Sequence, residues 1–356
     1  MPHFPTLLAR LRLSAYNDKR RNSFRYHNND GGVTVKKGTT DLSDPRSIAD
    51  YLRLILTGFA MGAADIVPGV SGGTMAFILG VYVNLVSAIK SFNLDALRLL
   101  AALRIRELAE HISFRFLVAL GVGLLLAVVS LAGFLSGVMD DPQGRVLLFA
   151  FFFGLVLASI LTIGINVEWN LSAIATFVAG AIIAFIIVNA VPAEADHSAP
   201  FLFVSGMIAI TAMILPGISG SFMLLILGQY DYVLTAVSER DLPPIIAVGL
   251  GALVGIIAFS RVLSYLLAHH YRMTVALLVG FMTGSLWKIY PWRQCLDSDL
   301  DRHGEFRCLS DAPVPPDAAS ESFALAAALL IAGFLLVNFL DHLQARDNPI
   351  FRRFWQ

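Results

Sequence analysis

Residues 58–82 read GFAMGAADIVPGVSGGTMAFILGVY, and residues 206–230 read GMIAITAMILPGISGSFMLLILGQY. Each stretch is apolar enough for lipid, yet carries a Pro-Gly pair and a Ser-Gly step at its middle. The two align without a gap at a constant interval of 148 residues. Gly58, Pro68, Gly69, Ser71, Gly72, Met75, Ile78, Leu79, Gly80 and Tyr82 recur as Gly206, Pro216, Gly217, Ser219, Gly220, Met223, Ile226, Leu227, Gly228 and Tyr230. Weaker agreement follows between LGVGLLLAVVS from Leu120 and VGLGALVGIIA from Val248, and between FIIVNAV from Phe185 and FLLVNFL from Phe334. An ordered match of this length marks an internal duplication, with halves at 51–192 and 200–341.

The rest of the chain agrees with a lipid setting. Of its 356 residues, 56% are hydrophobic and only 15% charged, where soluble domains carry about a quarter charged residues. The mean hydropathy is +0.70. Apolar runs at 116–138, 146–165, 171–191, 245–268, 273–290 and 323–340 are each long enough to cross ~30 Å of hydrocarbon. No alternating strand pattern accompanies them, so the expected fold is an all-α polytopic membrane protein, not a barrel. The polar, basic residues 1–50 read as a disordered cytoplasmic tail, an anchor of the positive-inside kind in preference to a nucleic-acid binder. No signal peptide is expected there, and residues 342–356 form a second cytoplasmic tail.

Each half is expected to open with a helical hairpin, at 51–89 and 200–237, turning at Pro68-Gly69 and Pro216-Gly217. The two arms of a hairpin span roughly 54 Å as helix, far more than one crossing needs. From Ser71 to Tyr82 is about 16 Å of helix, half the hydrocarbon core. The hairpins therefore read as re-entrant, turning near the midplane, with two full-spanning arms as the alternative. A hairpin plus three spans gives an odd number of crossings, so the halves are expected to have inverted topology.

Charge supports this layout. The N-terminal tail, the segment 93–110 and the C-terminal tail hold most of the Lys and Arg on one side, which places both termini in the cytoplasm. Residues 93–110, with Leu97, Leu100, Ala101, Ile105 and Leu108 on one face, are expected to form an interfacial helix. The loop 291–321 falls outside, and its Cys295 and Cys308 read equally as a disulfide or as two free thiols.

A broken backbone in hydrocarbon is tolerated only where protein buries it or where it lines a wet cavity. After each turn, Ser71, Gly72, Gly73 and Thr74, or Ser219, Gly220 and Ser221, open a helix whose first amides lack intrahelical acceptors. With the hydroxyls, two such tips meeting at the midplane form a site for an anion. The plainer reading is small-xxx-small packing at Gly69/Gly73 and Gly217/Ser221 with Ser as a helix cap; the paired copies favour the site. Arg261, an ionisable residue at membrane depth, is expected to act as countercharge or ion-pair partner, in preference to snorkelling to the cytoplasmic end of its span, about 10 Å of helix away. Asp65 has three readings: proton carrier, partner of Arg261, or cap of the turn. His269 and His270 are expected at the interface.

GAADIVPGVSGGTMAFILGVY taken with LPGISGSFMLLILGQY resembles the bacterial polyprenyl-phosphate transporter family, PopT, over about residues 51–341. The resemblance implies a flippase in the bacterial inner membrane that returns undecaprenyl phosphate, the cell-wall lipid carrier, from the outer to the inner leaflet. It also implies re-entrant tips that meet the phosphate. The residues themselves support an anion held by helix ends, with the isoprenoid tail left among the membrane lipids. No cofactor or metal is expected, and the oligomeric state is left open. Two further readings are a transporter or channel for another anion, and a membrane polyprenyl-pyrophosphate phosphatase. The second fits poorly, because the tips offer hydroxyls but no His, paired carboxylates or Arg cluster.

Overall fold

The computed structural model describes residues 42, 44–67, 69–190, 196–300, 306–317 and 321–345. Pro68 and most of both tails lie outside the described residues. The chain folds as α1 (Ile48–Ile66), α2 (Gly72–Ile78), α3 (Tyr82–Lys90), α4 (Leu94–Ala101), α5 (Ile105–His111), α6 (Phe114–Asp140), α7 (Pro142–Ile165) and α8 (Leu171–Val188). The second half gives α9 (Ala199–Ile214), α10 (Gly220–Ile226), α11 (Tyr230–Glu239), α12 (Leu242–His269) and α13 (Tyr271–Ser285). Strands β1 (Arg293–Leu300) and β2 (Phe306–Pro313) follow, then α14 (Glu321–Ala345). Among the described residues five helices are long and apolar enough to cross a membrane: α6, α7, α8, α12 and, over Ser322–His342, α14. Counting each bent pair, α2–α3 and α10–α11, as one span raises the number to seven. The chain is a nearly all-helical, multi-pass membrane protein.

The same packing recurs in the two halves. Helix α1 lies along α6, and its counterpart α9 lies along α12; α7 pairs with α14 as α13 pairs with α8. Glycines set these approaches. A Cβ at Gly58 would stand 1.9 Å from the carbonyl oxygen of Leu120, and one at Gly123 the same distance from that of Ile55. In the second half Gly206 meets Val248 and Gly251 meets Phe203 in the same way, at 2.2 and 1.9 Å. Backbones this close need residues without side chains, the usual device for helix association in lipid. The spans turn apolar side chains outward, among them Leu125, Val129, Phe134, Leu161 and Leu250.

Four sequence expectations change. The returning arm of each hairpin is not one helix. Helix α2 ends at Leu79 with Gly80 at φ 74°, and α3 leaves at 117° to it; α10 and α11 diverge by 109° after Gly228 at φ 66°. The amides of Val81 and Gln229 bond back to the carbonyls of Ala76 and Leu224, both at 2.9 Å. This is the six-to-one closure of a helix C-terminus that a left-handed glycine permits. Second, the run at 273–290 is the 15-residue α13, with ten residues buried, so about 22 Å long and enclosed by protein. Third, the interfacial helix breaks into α4 and α5 at Leu103, whose φ is 55°; Leu94, Leu97, Leu103 and Ile105 stay exposed. Fourth, the loop at 291–321 contains the antiparallel pair β1–β2.

Candidate functional site

The described residues of the first turn match the second, which is seen whole. At Leu215-Pro216-Gly217-Ile218 the amide of Ile218 bonds to the Leu215 carbonyl at 3.4 Å, and Gly217 takes φ 92°. Proline followed by a residue of positive φ is the type II pattern, which is why glycine stands third. Val70 bonds back to Val67 at 3.1 Å, with Gly69 at φ 85°.

The tips meet. The amide of Gly217 donates to Thr74 Oγ1 at 2.9 Å in a buried setting. Ser71 Oγ donates to the Leu215 carbonyl at 3.4 Å, and the buried Tyr82 hydroxyl to that of Ile214 at 3.1 Å. Ser71 and Thr74, two of the expected anion donors, thus hold the other tip. Neither Ser71 nor Ser219 caps its helix through its side chain, although both stand at the N-cap position.

Sequence matches, but environment does not. Residues 71–76 are all buried, whereas Ser221 is exposed and residues 222–227 are only half-buried. Asp65 accepts from the amide of Gly72 at 2.7 Å, which realises the capping reading of that residue. Its counterpart Met213 has no acceptor to offer. Among the described residues the amides of Gly220, Ser221 and Phe222 have no hydrogen-bond acceptor. Beside them the Ser219 and Ser221 hydroxyls share a bond of 2.8 Å. The second tip therefore keeps donors that the first has spent.

A cation missed by the sequence reading completes the arrangement. The stem of Lys288, just past α13, packs on the first turn, 3.3 Å from where a Cβ on Gly69 would lie. Its ammonium stands 5.4 Å from the centre of the Phe222 ring on α10, within cation–π range. The same ammonium pairs with Asp311 of β2 at 3.0 Å. Arg293 of β1 grips that carboxylate by Nε at 2.9 Å and Nη2 at 3.0 Å. Burial alone would push the Asp311 carboxyl up, but Arg293 and Lys288 together hold it below its ordinary 3.8. The signal for Lys288 was a lone basic residue within WKIYPW at the end of an apolar run; only the pairing of β2 shows what it meets.

Among the described residues Arg261 makes no hydrogen bond or ion pair with the tips. It is exposed on α12, one turn from Ser264, which accepts from Lys90 at 3.1 Å. No ion pair joins it to Asp65 among the described residues. His269 and His270 close α12, His269 stacked on Tyr265. Cys295 is disulfide-bonded, and the chain's other cysteine is Cys308. Among the described residues no group of three or more His, Cys, Asp or Glu side chains is placed to hold a metal ion.

Comparison with known proteins agrees with a lipid-phosphate setting. Residues 61–307 match the model of the VCA0040-like family, described as undecaprenyl phosphate translocase-like. A polyprenyl-phosphate transporter of Vibrio cholerae is 37% identical over 299 residues, which is 82% of this chain and 96% of the relative. A polyprenyl-phosphate transporter of Staphylococcus aureus is 35% identical over 259 residues, 67% of this chain and 85% of the relative. No solved structure matches. The chain therefore belongs to the VCA0040-like, undecaprenyl phosphate translocase-like family.

Proposed function

We propose that this chain is a flippase that returns polyprenyl phosphate from the outer to the inner leaflet of the bacterial inner membrane. The carrying observation is the meeting of the two Pro-Gly tips beside Lys288, in a chain whose relatives are named polyprenyl-phosphate transporters. The phosphate sits at the second tip, on the Ser219 and Ser221 hydroxyls and the unpaired amides of Gly220 and Ser221, with Lys288 as countercharge. Lys288 thus takes the role expected of Arg261. Ser71, Gly72, Gly73 and Thr74 serve the phosphate when the first tip is the open one.

Two inverted repeats, 51–192 and 200–341, supply the movement. Their hairpins enter from opposite faces, and exchanging the environments of the two tips exposes the site first to one leaflet and then to the other. The unequal burial of matched residues supports this: Gly73 to Ala76 are buried, whereas their counterparts Ser221 to Leu224 are exposed or half-buried. Asp65 supplies proton coupling, since protonation removes the charge that the Gly72 amide now faces. Both termini lie in the cytoplasm.

The test uses the purified chain in proteoliposomes carrying labelled undecaprenyl phosphate, following leaflet exchange and phosphate release together. Exchange without release, lost in Ser71→Ala with Ser219→Ala, is the expected result. Release of phosphate from a pyrophosphate form would replace the transporter with a phosphatase. Exchange that survives the double substitution would take the tips out of the mechanism.

A further inference from the structure

A groove of about 600 Å³, open along one side, runs beside Lys288. Its walls include Phe153 of α7, Ile182 and Phe185 of α8, Trp287 and Tyr290 beyond α13, and Pro313 at the end of β2. The one aliphatic hydroxyl in the lining, on Thr283, is turned back to the Val279 carbonyl at 2.8 Å. The aromatic walls brace each other edge-on, Phe153 with Tyr290 at 6.1 Å and Phe185 with Trp287 at 5.4 Å between centroids. Ile182 and Phe185 belong to the apolar surface that α8 turns outward, so the open side faces lipid.

The charges beside the groove wall select its occupant: Arg293 donates to the carbonyl of Trp287, a lining residue. Lys288 lies between the lining residues Trp287 and Tyr290 in the chain, and its partner Asp311 is two residues before Pro313. A cation beside the wall of an apolar, lipid-facing groove fits an anion with a single long apolar chain attached. We propose, resting on the function argued above, that the groove holds the phosphate-proximal isoprene units of polyprenyl phosphate. In this arrangement Asp311 occupies the place of the phosphate on Lys288. The incoming phosphate displaces it, and Arg293 keeps the released carboxylate paired. The remainder of the chain leaves by the open side into the bilayer. Because the tail is apolar in membrane and groove alike, the groove adds little affinity. It fixes direction, delivering the head group to Lys288 and the second tip.

Affinity is therefore the wrong readout, and contact is the right one. The full chain in phosphatidylcholine nanodiscs is irradiated with a polyprenyl phosphate bearing a diazirine on its phosphate-proximal isoprene unit. Adducts are mapped by mass spectrometry. They are expected to concentrate on Ile182, Phe185, Trp287 and Tyr290 and to be protected by unlabelled undecaprenyl phosphate. A diazirine polyprenol, lacking the phosphate, and a diazirine phosphatidic acid are expected to spread over the outward apolar surface. Lys288→Met keeps the stem, and loss of one charge-assisted contact lowers groove adducts by roughly ten- to a hundredfold. Ile182→Trp, which plugs the groove from the lipid side without touching the tips, is expected to move the adducts elsewhere. Adducts of the phosphate probe spread like those of the polyprenol, or unmoved by Ile182→Trp, would overturn the assignment. Adducts protected at the tips but absent from the groove would sink this inference alone. No protectable adduct anywhere would sink the transporter reading with it.

Discussion

Thr74→Val is the sharpest probe of the tip contact. Valine keeps the volume and the β-branch of threonine, so α2 loses nothing intrinsic. What goes is the acceptor for the Gly217 amide, a buried bond of 2.9 Å. An orphaned buried amide costs about 1–3 kcal/mol. In the exchanged arrangement the counterpart of Thr74 is Phe222, whose ring accepts no such bond, so the cost falls on the present arrangement alone. The equilibrium between the two should move by roughly 5- to 150-fold. A reporter cysteine at Met75 reads this directly. Met75 is 4% exposed here, and its repeat counterpart Met223 is half-buried. Labelling of Met75→Cys by a membrane-impermeant maleimide therefore follows the minor arrangement, and its rate should rise by the same factor when Thr74→Val is added. The native Cys295 is disulfide-bonded and silent. Ser71→Ala, which removes a longer bond of 3.4 Å, should raise the rate far less. An unchanged rate in folded Thr74→Val protein would refute the claim that this bond selects one arrangement.

Three further outcomes follow from other parts of the molecule. Gly58→Ala places a Cβ 1.9 Å from the Leu120 carbonyl oxygen and should destabilise the α1–α6 pair by about 1–3 kcal/mol or more. Gly133→Ala, with nothing within 4 Å, should be neutral or gain up to about 1 kcal/mol; thermal unfolding in detergent separates them, and equal shifts would deny the close approach. The Asp311 carboxyl is held below 3.8, a depressed folded value, so its stabilisation is complete above 3.8 and is lost as pH falls through the folded value. In a Trp169→Phe, Trp355→Phe background, emission from Trp287 and Trp292 near this pair should stay constant from pH 7 to about pH 5 and change only in stronger acid. In Asp311→Asn that acid transition should be missing. Asp65→Asn keeps an oxygen for the Gly72 amide, so the protein should fold, while any response of lipid exchange to an imposed pH gradient should vanish. A gradient response intact in that variant removes Asp65 from coupling.

How much of this was legible in the sequence depends on how far apart the interacting residues are. Five apolar runs became helices within a few residues of their expected bounds, because length and hydropathy are local properties. The run at 273–290 misled for the same reason: hydropathy does not distinguish a helix wrapped by lipid from one wrapped by protein, and α13 is the latter. The breaks after α2 and α10 had a local signal, the glycine that follows each Ile-Leu pair, at Gly80 and Gly228. It was obscured by reckoning helix length as if nothing stopped the helix. Lys288 shows locally only as a basic residue closing an apolar run; its role has no local signal, since its partners Gly69, Phe222 and Asp311 come from three separate segments. Arg261 drew attention as a charge at membrane depth, yet it stands exposed on α12.

The repeat itself carries a further lesson in where its copies disagree. The positions that match, Gly69 with Gly217, Ser71 with Ser219 and Gly72 with Gly220, build the turn and are needed twice. The positions that differ lie at the contact. Asp65 accepts from the Gly72 amide, where Met213 carries no carboxylate for the Gly220 amide. Thr74 receives the Gly217 amide, while its counterpart Phe222 receives the Lys288 ammonium. Gly73 packs against the backbone of Met213 and Ile214, where Ser221 adds a hydroxyl on the open side. Two identical tips would compete for the same partners: two threonines would leave no ring beneath the cation, and two phenylalanines would leave the buried amide unpaired. Divergence at these three pairs makes one tip the holder and the other the receiver. The phosphate site proposed between the two copies of the motif requires that difference.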